Sequence, residues 1–323
     1  MSKAIAYFSN GLGNLVLMMP ALQALRDMTG ESVDLCLPDS WRDSRRPAVE
    51  EIAAAWPTIG QVISHPKDPI FPERYGHWFW SGHNSMTDTI LPFKARMRHI
   101  PVAKPNWREA RIHERDHYLD IVRAMGWRNG TGVPRVEFPL AAGPILSMSR
   151  PIVGICNGAF HTPDWEKKHW PHFAGLATTL RRYFKASIVG VGGPGELDGV
   201  PCDSDYCGKL SITETARVIR QCDLFVSTDT GCMHVADILG VPTIALFGST
   251  LVSKNGPLNP RARAIIANIE CAPCQGTGRF FNCQHNECMH SLSVGDVMHE
   301  AKRTLNKERP INEIFLKEER NGD

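Results

Sequence analysis

Strand-like and helix-like segments alternate along almost the whole chain, and this alternation limits the possible folds more than any other feature of the sequence. Such alternation is typical of parallel α/β layers. A glycine- and proline-rich stretch over residues 129–151 interrupts the pattern, which then starts again. The sequence therefore predicts an α/β protein with two facing Rossmann-like domains, residues 1–145 and residues 146–323, and a cleft between them.

The individual elements follow from apolar periodicity. In the first half, strands are predicted at "KAIAYF", "VDLCLP", "QVISH" and "HWFW", and helices over 15–28, about 47–56 and 114–126. In the second half, the predicted strands are "PIVGIC", "ASIVGVG", "DLFVST" and "PTIALFG". They alternate with the helical segments "FAGLATTLRRYF", "ITETARVIRQ" and "CMHVADILG". Ligands of such sheets bind at the carboxyl ends of the strands, so the chemistry is expected there.

Composition excludes several classes of protein. The 323 residues carry a net charge of only +2, so a uniformly basic nucleic-acid-binding protein is excluded. No apolar run approaches the ~20 residues that a membrane span needs, and "MSKAIAYFSN" does not have the pattern of a secretion signal. The protein is expected to be cytoplasmic, and any membrane contact to be peripheral.

A strand that runs directly into a helix carries the strongest site signal. In "LFVSTDTGCMHVADILG", the strand ends before Asp229, and the helix begins just after Thr230 and Gly231. The free N–H groups and positive end of such a helix can bind a phosphate. Asp229 can accept hydrogen bonds from sugar hydroxyls, and His234 lies on the first helical turn. Taken alone, this segment would favour Asp229 and Thr230 as simple helix caps.

Two weaker motifs accompany this segment. "DWEKKHWP" places Lys168 just before a helix, where a flexible point charge suits a diphosphate, although a lysine pair is commonly only a solvated surface. "GVGGPGELDG" places Glu196 after a glycine turn that follows a strand. A carboxylate at such a position can bind ribose hydroxyls, although a Gly-Pro turn requires no ligand.

The order and spacing of these motifs resemble glycosyltransferase family 9, the heptosyltransferases of the lipopolysaccharide inner core. The resemblance rests on "GLGN" followed by "LMMPALQALR", on "KHWP", "GGPGE" and "STDTGCMHVADILGVPTIALFG", and on the "CAPC…C…CM" segment. It covers residues 3 to about 305 and is weakest over 30–110. It implies a GT-B fold with the acceptor on the N-terminal domain and the nucleotide-sugar donor on the C-terminal domain.

The implied activity is transfer of heptose or a related sugar, with inversion and without a catalytic metal or other cofactor, from an ADP-linked donor to a lipopolysaccharide core saccharide. The resemblance assigns catalytic roles to Asn14, Lys168 and Asp229. It assigns donor binding to residues of the four motifs: Gly11, Gly13, Lys168, Glu196, Asp229, Thr230, Gly231, Cys232 and His234. An unrelated dinucleotide-binding protein is disfavoured, because "GLGN" lacks the third glycine of the GxGxxG motif.

Asn14 departs from the pattern of the family, in which the glycine loop ends in an aspartate that serves as general base. An amide can orient a hydroxyl through its carbonyl oxygen but cannot abstract the proton. The base is then another group of the cleft, with candidates His83, Asp88, His161 and Asp164, or the acceptor or departing phosphate takes the proton. As a third alternative, the protein binds nucleotide sugar with little turnover. Asn14 as a simple cap of helix 15–28 is the structural alternative.

The acceptor side carries a local excess of positive charge. Residues 94–128 contain nine basic side chains against four acidic ones, and Trp107 lies within the same stretch. The basic residues are Lys94, Arg96, Arg98, Lys104, Arg108, Arg111, Arg115, Arg123 and Arg128. This excess favours an anionic acceptor, either a phosphorylated saccharide or a nucleic acid, over a merely solvated face. The residues do not distinguish the two acceptors.

Four cysteines cluster near the C-terminus. Cys271, Cys274, Cys283 and Cys288, with His285 and His290 nearby, have a spacing compatible with a structural Zn²⁺ site in a loop that would gain stability from a metal clip. Free thiols packed beneath the last helix are the alternative. No role in catalysis is expected for the cluster in either case.

Overall fold

The structure is a computed structural model, and it describes residues 3–8, 10–37, 45–64, 75–80, 112–128, 132–159 and 163–306. Three of the proposed bases, His83, Asp88 and His161, lie outside the described residues, as do the basic side chains between 94 and 111. Asp164 lies in a described helix, but its side chain is not described. The placement of these candidates therefore stays a prediction.

The N-terminal half forms a four-stranded parallel sheet with the strand order β3-β2-β1-β4. Its strands are β1 (Lys3–Tyr7), β2 (Val33–Leu37), β3 (Ile59–Ser64) and β4 (Tyr75–Trp80). The helices described with it are α1 (Leu12–Thr29), α2 (Arg45–Ala55) and α3 (Glu114–Ala124). Residues 132–151, which lead to the second half, contain neither helix nor strand.

The C-terminal half forms a six-stranded parallel sheet with the order β10-β9-β8-β5-β6-β7. Its strands are β5 (Ile152–Cys156), β6 (Ser187–Gly190), β7 (Ser204–Asp205), β8 (Leu224–Thr228), β9 (Thr243–Phe247) and β10 (Arg263–Ile266). Its helices are α4 (Pro163–Glu166), α5 (Phe173–Phe184), α6 (Ile212–Ile219), α7 (Gly231–Ile238), α8 (Val252–Asn255), α9 (Gly278–Asn282), α10 (Glu287–Ser291) and α11 (Val294–Leu305).

The predicted fold class, α/β with two parallel sheets, is confirmed, and each predicted strand is present with its ends moved by a few residues. The edge strands β7 and β10 were not predicted. Strand β7 has only two residues, and β10 has three half-buried residues and one exposed residue, so neither gives a clear periodicity. One prediction is wrong. Helix α1 begins at Leu12 with Gly11 as its extended N-cap, so Asn14 lies inside the first turn and does not cap the helix.

Helix α1 joins the two halves. Its side chains are apolar on almost every face, and Asp27 is its one exposed residue. A helix that is apolar all round is buried on all sides. Here it packs against the first sheet, α3 and α7, within a hydrophobic cluster that contains residues of both domains, among them Leu22, Tyr118 and Val235. This packing places the start of α1 against the start of α7.

A second bridge between the halves is polar. Glu51 on α2 accepts hydrogen bonds from the Ser211 hydroxyl at 2.6 Å and from the Thr213 N–H at 3.0 Å, at the beginning of α6. Burial alone would raise the pKa of Glu51, but the hydrogen bonds from Ser211, Thr213 and Ile212 lower it below its usual value. An ionised carboxylate at a helix N-terminus is favourable, so Glu51 stabilises this domain contact.

Replacement of Glu51 by glutamine is expected to lower the free energy of unfolding by about 1–2 kcal/mol, because the charge-assisted bonds to α6 are lost. The effect should be present at neutral pH and fade below about pH 4.5, where the wild-type carboxylate loses its charge. Urea unfolding checks this. Glu50→Gln is the matched control, because Glu50 makes only an exposed pair with Arg46 at 2.8 Å. Equal effects of both variants would contradict the bridge.

Within the described ranges, no helix combines the length and the apolar character that crossing a membrane requires.

Candidate active site

The site is built around the junction of β8 and α7, which the sequence identified. Thr228 ends β8 and donates from its hydroxyl to the carbonyl of Gly158 at 2.9 Å. Thr230 is the N-cap of α7 by position, but its side chain makes no capping bond, and its hydroxyl lies 3.4 Å from the Ser227 hydroxyl. The interpretation of Thr230 as a simple side-chain cap is therefore wrong. The first-turn N–H groups of α7 have no acceptor within the helix.

Lys168, Asp229 and His234 form a buried triad beside this helix end. The Lys168 ammonium donates to the carboxylate of Asp229 at 3.3 Å and also to its carbonyl oxygen. His234 Nε2 lies 3.7 Å from the other carboxylate oxygen of Asp229. Only 12%, 6% and 4% of the three side chains, in that order, is exposed. The predicted donor-phosphate residues are thus in direct contact.

His234 is neutral at physiological pH. Burial lowers its pKa to about 4, although the carboxylate of Asp229 acts in the opposite direction. Its Nδ1 atom is buried, and none of the described residues provides it with a hydrogen-bond partner. A buried polar atom without a partner costs free energy, so Nδ1 is available to a ligand group.

The motif "KHWP" holds Lys168 in place through its tryptophan. Trp170 is completely buried and donates from its indole N–H to the carbonyl of Leu292 at 2.9 Å. Asn157, just beyond β5, accepts from the Trp170 N–H at 2.7 Å and donates to its carbonyl. Lys168 is further placed by the ring of Trp165, whose centre lies 5.1 Å from the ammonium. Two independent anchors therefore fix the lysine near the strand ends.

Glu196 lies against the same end of the sheet, as predicted. Its carboxylate packs over the backbone of Gly158 and Gly192, so closely that a Cβ at Gly158 would lie 2.8 Å from Oε2. Gly192 also has a φ of +147°, which favours glycine. Oε2 of Glu196 is buried, and no partner for it is found in the described part of the chain. The carboxylate is therefore poised to accept from a ligand hydroxyl.

The resemblance implies only a backbone contact to the donor for Cys232, and its side chain is engaged elsewhere. Its thiol is hydrogen-bonded to Cys156, and this bond, together with burial, raises the pKa of Cys232 far above its usual range. The thiol stays protonated and points into the protein, so only the backbone of Cys232 can serve a ligand.

The glycine loop of the N-terminal domain lies directly opposite α7. A Cβ at Gly13 would lie 2.6 Å from Cδ2 of His234, and a Cβ at Gly231 would lie 2.9 Å from a methyl carbon of Leu12. Both glycines are therefore required by close approach of the two domains. The glycine loop of one domain and the start of α7 in the other therefore meet across the cleft.

Asn14 contacts a residue that sequence analysis did not single out. Its amide nitrogen donates to Oε1 of Glu114 at 2.7 Å, and the Tyr118 hydroxyl donates to the same oxygen at 2.6 Å. Glu114 is the first residue of α3 and is only 2% exposed. In the sequence it resembled an ordinary acid in a first helical turn, where acids favour the helix dipole.

Lys254 on α8 was also missed. It is 5% exposed, and burial lowers its pKa to about 8 against the opposing charges of Glu114 and Asp229. A lysine seven residues after a strand ordinarily extends into solvent, so the sequence offered no signal. Lys254 adds a positive charge between the two halves of the site.

The cysteines near the C-terminus share one cavity but do not form a coordination set. Cys271, Cys274 and Cys283, together with His285, line a cavity of about 320 Å³. Cys288 is buried, and burial raises its pKa to about 11. Among the described residues, no group of three or more His, Cys, Asp or Glu side chains is arranged to hold a metal ion. The structural zinc stays a prediction that would require these loops to rearrange.

Comparisons with known proteins agree with the site. The model of glycosyltransferase family 9 (heptosyltransferase) matches residues 135–285. Lipooligosaccharide heptosyltransferase 2 of Campylobacter jejuni is 32% identical over 177 residues, which are 50% of this chain and 53% of that protein. Lipopolysaccharide heptosyltransferase 2 of Salmonella typhimurium is 26% identical over 228 residues, 58% of this chain and 64% of the relative. The chain spans about half the length of the first of these relatives.

Among solved structures, E. coli ADP-heptose lipopolysaccharide heptosyltransferase II superposes with a TM-score of 0.67 at 19% identity, covering 95% of this chain and 99% of that one. The two parallel sheets thus match the GT-B fold of heptosyltransferases. Residues 135–285, which include Lys168, Glu196 and Asp229, are thus similar to glycosyltransferase family 9 (heptosyltransferase).

Proposed function

We propose that the protein is a heptosyltransferase that transfers heptose, or a closely related sugar, from an ADP-linked donor to a lipopolysaccharide core saccharide. The related proteins of Campylobacter and Salmonella are named for heptose transfer to lipooligosaccharide or lipopolysaccharide, and the E. coli structure for ADP-heptose. These names supply the substrates of the proposal, and the site supplies its chemistry.

One observation carries the proposal: the Lys168–Asp229–His234 triad lies at the uncapped start of α7 and faces the glycine loop of the other domain. A diphosphate bound there would meet the first-turn N–H groups of α7 and the Lys168 ammonium. Glu196 packs over Gly158 at the same end of the sheet, where its carboxylate is suited to accept from ribose hydroxyls. The N–H groups of α7 and the Lys168 ammonium are preorganised to stabilise the negative charge that a departing diphosphate develops.

In the proposed reaction, the acceptor hydroxyl oxygen attacks the anomeric carbon of the donor sugar from the face opposite the diphosphate. The bond from that carbon to the diphosphate oxygen breaks, and its electron pair leaves with the diphosphate. The hydroxyl proton passes to a base of the cleft. Attack from the opposite face inverts the anomeric configuration. Lys168 and the start of α7 stabilise the leaving group.

Asn14 favours one alternative function, a nucleotide-sugar-binding protein with little turnover. Loss of general-base catalysis typically costs 10²–10⁴-fold in rate, which would leave donor binding intact. A nucleic-acid acceptor has less support, because the relatives are named for transfer to lipooligosaccharide or lipopolysaccharide. Binding and transfer must therefore be measured separately.

The first experiment is thermal unfolding with ADP, GDP, UDP, CDP and dTDP. We expect ADP to raise the melting temperature by several degrees, because a ligand at one hundred times its Kd stabilises a protein by about 2.7 kcal/mol. Lys168→Ala should lose most of this shift. Lys167→Ala is the matched control, since the Lys167 ammonium donates to the carbonyl of Phe280 at 2.8 Å, away from the triad.

Three outcomes are informative. A shift with ADP that only Lys168→Ala abolishes supports the donor site. A shift with a different nucleotide contradicts the ADP-linked donor but keeps the site. Equal loss in both lysine variants, or no shift with any nucleotide or with ADP-heptose, contradicts the proposed donor site.

A further inference from the structure

The carboxylate that the glycine loop lacks is supplied by another helix. Oε1 of Glu114 lies 2.7 Å from the amide nitrogen of Asn14, within one hydrogen bond of the place where an aspartate at position 14 would carry its charge. Glu114 comes from α3, one hundred residues away in the sequence. The carboxylate is thus present beside position 14, on the side chain of Glu114, and is not on residue 14 itself.

Glu114 is held firmly in this position. The Tyr118 hydroxyl donates to Oε1 at 2.6 Å. The amide of Asn255, turned so that its nitrogen meets its acceptors, donates to Oε2 at 3.1 Å. Lys254 contributes a positive charge near Glu114. Burial, together with the neighbouring Glu114, raises the pKa of the Tyr118 hydroxyl. Donors on both oxygens therefore hold the carboxylate of Glu114 in one orientation.

The bond to Glu114 determines how the Asn14 amide is turned. Because Oε1 accepts from the amide nitrogen, rotation by 180° would bring the amide oxygen against the carboxylate and is unfavourable. The oxygen of Asn14 is therefore directed to the side of Gly11, where a Cβ would lie 3.8 Å from it. A hydroxyl of the acceptor saccharide that approaches the loop therefore meets the amide oxygen of Asn14, which can accept its hydrogen bond, and not the amide nitrogen.

We propose that Glu114 is a positioning residue for sugar transfer: it fixes Asn14 so that the amide oxygen orients the acceptor hydroxyl, and it supplies the negative charge of the acceptor side. This inference rests on the proposed function. Asn14 and Glu114 act as one unit that replaces a single carboxylate. An aspartate at position 14 would place two carboxylates within 2.7 Å, so this chain requires a neutral residue at one of the two positions.

The test is an exchange of the two residues. In Glu114→Gln, a neutral carboxamide replaces the carboxylate, and either its oxygen or its nitrogen can face Asn14. We therefore expect kcat to fall about 10- to 100-fold, as for losses of supporting hydrogen bonds at other sites. Asn14→Asp alone should also lower kcat. The double variant Asn14→Asp/Glu114→Gln restores one carboxylate and one amide in reversed places, and should regain at least about tenfold over either single variant.

Rates are measured with ADP-heptose and a heptose-free lipopolysaccharide core saccharide, and the melting shift with ADP is recorded for each variant. Asp116→Asn is the matched control, because Asp116 lies on the same helix and pairs only at the surface with Arg115 at 2.6 Å. Because the ADP site lies on the other domain, Glu114→Gln should keep the ADP shift.

The outcomes separate the two proposals. Recovery in the double variant with an unchanged ADP shift supports the role of Glu114. Wild-type activity in Glu114→Gln, a gain of activity in Asn14→Asp alone, or no recovery in the double variant overturns that role and leaves the proposed function standing. Absence of transfer by the wild-type protein contradicts the proposed function itself, and the role of Glu114 falls with it.

Discussion

The Gly13→Ala variant is expected to lose transfer activity by at least about tenfold, because the added methyl group falls on His234. The new Cβ would lie 2.6 Å from Cδ2 and 3.2 Å from Nε2 of the imidazole. His234 is 4% exposed, so its ring cannot turn into solvent. Helix α1 must therefore withdraw from α7, which separates the acceptor loop from the donor site. Misplacement by about 1 Å can cost as much as 10²-fold in rate.

The measurement is kcat/KM with ADP-heptose, together with the melting temperature. Overpacking of this kind typically costs about 1–3 kcal/mol of stability, so some loss of melting temperature should accompany the loss of rate. Gly175→Ala on α5, away from the site, is the control substitution. Among the described residues, its Cβ would meet a methyl carbon of Val294 at 3.6 Å, an ordinary van der Waals contact. Comparable losses in both variants would show that the contact between Gly13 and His234 is not the cause.

The donor half of the site could be predicted from the sequence because each of its motifs is local. Asp229 follows a buried strand and precedes a helix, and parallel strands bring their carboxyl ends to one edge of the sheet. Lys168 and Glu196 also follow strand ends, so the topology alone predicts that they converge. Where local chemistry and topology agree, a residue's place can be inferred without coordinates.

The acceptor half could not be predicted in this way, since its contacts join residues distant in sequence. Glu114 is in the first turn of α3, where an acid needs no special explanation. The packing of α3 on α1 brings Glu114 to Asn14. The position of α8 in the folded protein brings Asn255 and Lys254 to Glu114. The missing acid at position 14 was visible in the sequence, whereas its replacement was not.

The stability of the protein should fall between pH 6.5 and pH 4 because of His234. Burial lowers its pKa from 6.5 to about 4 in the folded state, while in the unfolded chain it keeps its usual value. Above pH 6.5 both states are neutral, and the full stability is present. As the pH falls, the unfolded state binds the proton first, so folding is disfavoured by up to about 3 kcal/mol near pH 4.

The groups that face His234 do not reverse this direction. Asp229 and Glu114 raise its pKa, whereas His113 and Lys168 lower it further, and burial outweighs them all. His113 titrates in the same sense, because burial lowers its pKa as well, despite its bond to the Gly256 carbonyl at 2.9 Å. The effect of His234 must therefore be isolated by a variant that leaves His113 in place.

His234→Gln provides that variant, because a neutral amide of similar length does not titrate. The stability difference between wild type and variant is measured by urea unfolding at pH 7.5 and pH 5, so that other titrating groups largely cancel. We expect the advantage of the wild type to shrink by about 2 kcal/mol at the lower pH. A difference that stays constant would mean that His234 keeps its usual pKa in the folded protein, so that the triad would carry a cation beside Asp229 at pH 5.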